Sequence, residues 1–102
     1  MKDRGWVRPL DSRTRILVTR SSAHPISYAI TLVTEHDGEE CAVRTYDNAH
    51  AADEHHAHRY IGGEKQPPTV MTSDINEAMA DAMGDLMSNW RCYVEDWKAT
   101  LR

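Results

Sequence analysis

Residues 26–47 read "ISYAITLVTEHDGEECAVRTYD" and predict the hairpin around which the rest of the fold is arranged. Large apolar side chains alternate with small or polar ones over residues 26–32, which is the period-two pattern of a half-buried strand. Asp37 and Gly38 follow, and glycine accepts the positive φ that a tight hairpin turn demands. We therefore expect the chain to turn at this point and to return as a second strand over residues 41–47.

Two further segments flank the hairpin and are predicted to be strands. Residues 13–20, "RTRILVTR", have an apolar centre between basic residues, which suits a strand with one charged face. Residues 58–61, "HRYI", are a candidate fourth strand. The Gly-Gly pair at 62–63 and the Pro-Pro pair at 67–68 then interrupt the pattern, so we expect a surface loop there.

A long amphipathic helix is predicted for residues 74–101. Ser73 and Asp74 are suitable N-caps, and Glu77 stands three residues after Asp74, as in an acidic capping box. Apolar residues then recur at intervals of three and four, as on one face of a helix: Ile75, Met79, Ala82, Leu86, Trp90, Tyr93, Trp97 and Leu101. A straight helix of this length would run about 42 Å, longer than the expected width of so small a domain, so we expect a bend or break at Gly84.

These elements together predict an α+β fold. A sheet with one apolar face needs a covering layer, and the predicted helix is the element available for it. We therefore expect an antiparallel sheet of three to five strands with a long C-terminal helix packed on one face. A chain of 102 residues suffices for one core, so a single domain over residues 1–102 is expected, with residues 1–12 as a flexible basic arm.

Composition excludes several classes of protein. The chain is 40% hydrophobic and 27% charged, and no apolar run approaches the roughly 20 residues that a membrane span needs. The start of the chain lacks the apolar core of a signal peptide, so we expect a cytoplasmic location. Cys41 and Cys92 lie far apart and in no CxxC arrangement, which predicts two small buried residues rather than a zinc ribbon or a disulfide.

Charge is distributed unevenly along the chain. Residues 1–20 contain six basic and two acidic side chains, a net charge of +4, so that the other 82 residues carry −8 of the total of −4. A basic segment of this kind contacts phosphate or an acidic partner, or else forms the charged edge of a sheet. The second interpretation is the more common one.

The most unusual segment for function is residues 46–60, "YDNAHAADEHHAHRY". It begins at the end of a predicted strand, where functional side chains are often held by a rigid scaffold. In extended backbone His56 and His58 share one face and His55 lies on the other. His50 and Asp47 could converge on the same pair from across the loop.

Three interpretations of this segment are compatible with its residues. A zinc site would use three or four of the imidazole and carboxylate groups, although their spacing matches no recognised ligand pattern such as HExxH. Acid–base cleavage of an RNA phosphodiester would use one neutral and one protonated histidine together with a cation. The third interpretation is a solvated histidine-rich loop with Tyr46 and Tyr60 packed beneath it.

The segments "RTYDNAH" at residues 44–50 and "HHAHRY" at residues 55–60, followed by a helix that opens "DINEAM", resemble the TumE-type toxins of bacterial toxin–antitoxin pairs. The resemblance covers roughly residues 26–80. The spacer "AADE" lacks the prolines of the toxin pattern, and the ending "NWRCYVEDWK" is closer to small actinobacterial and phage proteins that keep the Tyr-Asp-Asn/Thr-Ala-His core. The resemblance implies an α+β fold and a toxin-like activity, and its matching positions are Tyr46, Asp47, Asn48, His50, His56 and His58.

The leading hypothesis is a metal-independent ribonuclease that needs no cofactor. His56 and His58 would divide the base and acid roles, Arg59 would stabilise the charge on phosphorus, and Asp47 would orient a histidine. His50 completes the expected catalytic group, and Tyr46, Asn48 and Tyr60 are the expected binding residues. RNA and an antitoxin are the partners that this hypothesis implies.

Two alternatives remain open from the sequence. One is a non-catalytic module that binds another protein or a second copy of itself as a homodimer, since small αβ domains often complete their core in this way. The other is a protein that binds metal through the histidine cluster.

Overall fold

The structure is a computed structural model that describes residues 4–21, 26–51, 54–71 and 74–101. Within these ranges the chain forms one antiparallel sheet and one helix. The elements in chain order are β1 (Arg4–Pro9), β2 (Thr14–Arg20), β3 (Tyr28–His36), β4 (Glu39–Ala51), β5 (Glu54–Ile61), β6 (Glu64–Lys65), β7 (Thr69–Met71) and α1 (Ile75–Ala99). The expected α+β fold is confirmed, and so is a long helix that packs on one face of the sheet.

The sheet follows the order of the sequence, β1-β2-β3-β4-β5-β6, with β7 also paired to β5. The β3–β4 hairpin lies at its centre and turns at the predicted dipeptide. Asp37 and Gly38 both have positive φ, 51° and 79°, the combination that a two-residue hairpin turn with the right twist requires. A register shift between Leu32 and Val33 marks a bulge in this ladder.

The sheet has more strands than the three to five expected. β1 occupies residues expected to be a flexible arm, and it pairs with β2 over its whole length from Arg4↔Arg20 to Pro9↔Arg15. All residues of this edge strand are exposed, so its sequence lacks the alternating pattern of a strand with one buried face. The strand forms through main-chain hydrogen bonds to β2. β6 lies within the expected surface loop, β7 follows directly after that loop where no strand was expected, and β5 begins at Glu54 rather than His58.

The core lies between the sheet and α1. Buried residues of the helix are Ala78, Ala82, Leu86, Val94 and Trp97. They pack against Ile16, Val18, Ile30, Leu32 and Tyr46 of the sheet, among others. The predicted stripe is therefore the face that the helix buries.

The helix starts at its predicted cap and does not break. The Asp74 carboxylate accepts a hydrogen bond from the Glu77 backbone N–H at 2.9 Å. The helix then runs uninterrupted through Gly84 to Ala99. The expected break assumed a compact body, but the molecule measures 40 × 25 × 22 Å, so the helix lies along its long dimension. No helix in the described ranges is long and apolar enough to cross a membrane.

The two faces of the sheet have different surroundings. We call the side that packs on α1 the helix face; it carries Tyr46 and Ala57. Side chains alternate along a strand, so Asp47, His56 and His58 lie on the opposite side, which we call the second face. The cysteines are not both buried as expected: Cys41 is half-buried and Cys92 lies exposed on α1.

Candidate functional site

Asp47, His56 and His58 form one cluster on the second face. β4 and β5 pair so that Asp47 is the direct partner of His56, and His58 follows two residues later on the same face. All three are buried, with 6%, 4% and 5% of their surface exposed. One nitrogen from each histidine and one Asp47 oxygen lie within 4.8 Å of one another. The strand pairing thus brings Asp47 beside two histidines that lie nine and eleven residues further along the chain.

The hydrogen bond of His58 shows which of its two ring nitrogens carries the proton. Its Nδ1 lies 3.0 Å from the backbone carbonyl oxygen of Gln66. A carbonyl oxygen only accepts, so Nδ1 carries the proton and Nε2 presents a lone pair in the neutral ring. That Nε2 is buried and has no hydrogen-bond partner within the described ranges, and it lies 3.9 Å from Oδ2 of Asp47.

Two exposed charges border the cluster. The Lys65 ammonium lies 3.9 Å from Oδ2 of Asp47, and a Glu54 oxygen lies 3.6 Å from Nε2 of His56. Lys65 is 48% exposed, so its long side chain reaches solvent. A buried carboxylate such as that of Asp47 needs a compensating charge. Lys65 supplies this charge when no other cation is bound.

His55 lies on the helix face, away from the other two histidines of β5. It is fully buried, its Nδ1 lies 3.0 Å from the Tyr28 hydroxyl, and its ring stacks on the Tyr28 ring at 5.7 Å. Burial, with the nearby charge of Asp47, raises the pKa of Tyr28 to about 12. Next along β4, the Asn48 side chain accepts from the Tyr28 N–H and donates to the Ile26 carbonyl, which holds the start of β3 beside β4.

A second polar cluster, on the helix face, includes residues that sequence reasoning missed. The hydroxyls of Tyr46 and Tyr93 both donate to the Asp85 carboxylate, and Nε of Arg44 donates to the Tyr46 oxygen at 2.7 Å. Burial alone would raise the pKa of Asp85, but the hydrogen bonds from Tyr46, Tyr93 and Asn89 and the charge of Arg44 outweigh it and lower that pKa. Burial and the Asp85 carboxylate raise the pKa of Tyr46.

One feature of the sequence indicates this second polar cluster, which we call the Asp85 cluster. Asp85 stands beside Leu86 and one position away from the apolar stripe, and Tyr93 follows Asp85 at an interval of eight residues, close to two helical turns. These positions place both side chains at the border of the buried face. The partner on β4, however, lies 39 residues away, and no local pattern predicts that contact.

Comparison with known proteins identifies the family of the chain. A family model described as "Domain of unknown function (DUF7718)" matches residues 1–102. The chain belongs to the DUF7718 family. No curated protein and no solved structure matches it.

In this DUF7718 chain the residues predicted to act together are only partly assembled. Asp47, His56 and His58 meet, but Arg59 is the direct partner of Arg44 and lines cavities on the helix face. Tyr46 also lies on the helix face, in the Asp85 cluster, and Tyr60 donates to or accepts from the Thr45 hydroxyl at 3.3 Å. His50 belongs to β4, and its side chain lies outside the described part of the structure.

The basic N-terminal strand is remote from the histidines. β1 and β5 are separated by β2, β3 and β4. With neighbouring strands about 4.8 Å apart, four steps put them roughly 19 Å apart in the sheet. The arginines of β1 therefore do not border the Asp47, His56 and His58 cluster.

Proposed function

We propose that this protein binds a divalent transition-metal ion of the zinc class through Asp47, His56 and His58. One observation carries the proposal: a carboxylate and two imidazoles from neighbouring strands converge, buried, with ligand atoms within 4.8 Å of one another. Imidazole nitrogen and carboxylate oxygen are both ordinary ligands of zinc. The proposal adopts the metal-binding alternative, because strand register supplies the proximity that the sequence spacing did not.

The candidate ligand atoms, which lie within 4.8 Å of one another, would have to move closer together around an ion. Ligand atoms about 2.1 Å from a tetrahedral ion lie about 3.4 Å apart. Nε2 of His58 and Oδ2 of Asp47 are 3.9 Å apart, so this pair needs to close by about half an ångström to reach the 2.1 Å bonds of zinc. The Gln66 carbonyl already fixes the His58 tautomer with its Nε2 lone pair directed inwards, which is the outer-shell contact that metal-ligating histidines usually make.

Charge also favours a cation at this place. Asp47 is buried, and its bordering ammonium, Lys65, belongs to an exposed side chain that can turn into solvent. An ion held by three protein groups keeps a further position for water or another ligand. That position gives the site the capacity to polarise or activate a bound molecule.

Metal analysis of purified protein tests the proposal. The native chain, stripped with chelator and dialysed against Zn²⁺, is expected to hold one equivalent, and His58→Ala is expected to lose it. His36→Gln is the matched control, because His36 lies at the end of β3 next to Asp37 and outside the cluster. His50→Ala shows whether a fourth side chain contributes. Retention of one equivalent by His58→Ala, with circular dichroism showing the same fold, would contradict the proposal.

The ribonuclease of a toxin–antitoxin pair stays a prediction from the sequence, as do RNA, an antitoxin or a second copy as partners and a cytoplasmic location. Support for the ribonuclease is the proximity of His56 and His58, whose ring centres lie 6.2 Å apart. The expected cation Arg59 and the basic strand β1 lie elsewhere. Chelator-resistant cleavage of RNA, abolished by both His56→Ala and His58→Ala, would support it.

A further inference from the structure

The pair Arg44 and Arg59 presents an unusual concentration of positive charge on the helix face. The two residues are direct partners in the β4–β5 ladder, so their Cβ atoms lie about 5 Å apart. Like charges directly opposite each other destabilise a sheet. A bound anion between the two arginines would reduce this repulsion.

The residues that the structure describes neutralise only one of these two charges. Arg44 lies 3.8 Å from the Asp85 carboxylate, and its guanidinium lies over the rings of Tyr93 and Tyr46 at 4.6 and 5.2 Å. Arg59 is exposed and makes no ion pair or side-chain hydrogen bond with the residues that the structure describes. The Arg44 hydrogen bond uses Nε, so its terminal Nη groups point to no acceptor within hydrogen-bond distance in the same ranges.

Arg44 and Arg59 both line a cavity whose described lining residues include no acid. This cavity, of 260 Å³, lies between the two arginines and the segment that follows β6. Its other polar lining residues are Gln66 and Thr69, and Ala57, Ile61 and Pro67 supply apolar walls. A second cavity of 290 Å³ on the other side of the arginines is lined by Tyr93 and Trp97, but also by Asp96. The cavity at Gln66 and Thr69 is therefore the one suited to an anion.

We infer that Arg44 and Arg59 bind the phosphate group of a small phosphomonoester in the cavity lined by Gln66 and Thr69. A phosphomonoester carries a charge of about −1.5 to −2 near neutral pH, so the uncompensated charge of Arg59 attracts it more strongly than it attracts a carboxylate. Its three terminal oxygens can accept from both arginine forks. The apolar walls contact the organic part of the ester. The two proposed sites share Gln66, whose carbonyl accepts from His58, but the arginines lie on the opposite face of the sheet from the proposed metal ligands.

Positions of the donors support a bound phosphate at this place. The Arg44 guanidinium is fixed by its hydrogen bond to the Tyr46 hydroxyl and by its contact with the Tyr93 ring. It therefore loses little conformational entropy when a ligand binds. The backbone N–H of Gln66 donates to the Arg59 carbonyl at 2.8 Å, which fixes the far wall of the cavity to the strand that carries Arg59. Both the arginine side of the cavity and the Gln66 side are therefore fixed in position before a ligand binds.

Titration of the chelator-treated protein with phenyl phosphate and with inorganic phosphate, followed by ¹H–¹⁵N NMR, tests the inference. Phenyl phosphate is expected to bind at least threefold more tightly than inorganic phosphate, with shifts at Arg59, Gln66 and Thr69. Arg59→Gln is expected to weaken binding at least tenfold. Arg8→Gln removes the same charge from the exposed edge strand β1 and is expected to change binding less than twofold.

Three results would overturn the inference. One is the absence of saturable shifts at the cavity in the folded native protein. Another is an equal loss in Arg59→Gln and Arg8→Gln, which would indicate attraction by net charge alone. The third is tighter binding of benzoate than of phenyl phosphate, which would assign the cavity to carboxylates. Because the protein is metal-free throughout, failure here leaves the metal proposal untouched.

Discussion

Asp47 lies directly across the β4–β5 ladder from His56, and both side chains emerge on the face of the sheet that α1 does not cover. This pairing, with His58 two residues further along β5, is what converts a histidine-rich sequence into a three-membered cluster. The register shift between Asp47 and Ala51 ends regular pairing just beyond the cluster. The site therefore depends on strand register as much as on residue type.

Replacement of Asp47 by Asn should remove most of the metal affinity. The amide keeps the shape of the side chain but loses the negative charge that compensates a divalent ion. We expect binding to weaken by about 100-fold or more, beyond the 10–100-fold typical of outer-shell changes. Competition with a chromophoric chelator measures the change. An Asp47→Asn protein that keeps native affinity would show that the carboxylate is not a ligand.

Replacement of Lys65 by Gln should act in the opposite direction. The Lys65 ammonium lies 3.9 Å from Oδ2 of Asp47 and must give way to the incoming cation. Loss of this repulsion should tighten metal binding by about three- to tenfold, a modest effect because exposed charges are screened. Lys98→Gln, on the surface of α1 beside Glu95, is the control. Weaker binding in Lys65→Gln would indicate that Lys65 supports the site rather than competes for it.

The hairpin and the helix start were predictable because their causes are local. Gly38 takes positive φ and Asp74 caps the first helical turn, and both depend on residues only a few positions apart. β1 was not predictable from its side chains, because its strand character comes from main-chain pairing with β2. Helix-face contacts such as that between Tyr46 and Asp85 depend on how the finished sheet and helix pack.

The candidate site was predictable in its residues and not in its geometry. Alternation along an extended segment correctly placed His56 and His58 on one face and His55 on the other. The same alternation puts Arg59 on the helix face with His55, so a cation adjacent in sequence is remote from the histidine pair. Asp47 joins the cluster through the β4–β5 register. This register cannot be predicted from composition or from the spacing of residues along the chain.

Replacement of Asp85 by Asn should destabilise the fold. Its carboxylate accepts from Tyr46 and Tyr93, and hydrogen bonds to charged groups contribute about 1.5–3 kcal/mol each, with partial compensation by the amide. We expect a loss of about 1–3 kcal/mol in the free energy of unfolding, measured by urea denaturation. Asp81→Asn, an exposed acid on the same helix, should change it by less than about 0.5 kcal/mol. Equal stability of the two variants would contradict this role.

The Asp85 cluster should also weaken in acid. Because the pKa of Asp85 is lowered in the folded state, the folded form holds the carboxylate charged more readily than the unfolded chain does. Its contribution is complete above the unfolded pKa of 3.8 and is lost as the pH falls through the lower folded value. Urea unfolding between pH 5 and pH 2 should show a steeper decline for the native protein than for Asp85→Asn. Parallel declines would exclude the linkage.

The Tyr28 and His55 pair should respond to alkaline pH. The pKa of Tyr28 is raised from 10.0 to about 12, so the folded state resists ionisation of this phenol. Its contribution is complete below pH 10 and is lost as the pH rises through about 12. Tyr28→Phe should therefore lose less stability than the native protein over that interval, measured by urea unfolding. An identical loss would show that Tyr28 is not the responsible group.

X-ray absorption spectroscopy of the Co²⁺-loaded protein tests the central claim most directly, because it counts the atoms around the bound ion. The account predicts one ion per chain in a shell of nitrogen and oxygen, with outer-shell scattering from the imidazoles of His56 and His58 and no sulfur from Cys41 or Cys92. In His58→Ala the ion should be lost, while His36→Gln should match the native protein. A native protein that retains no stoichiometric Co²⁺, or one whose ion has sulfur ligands, would contradict the account.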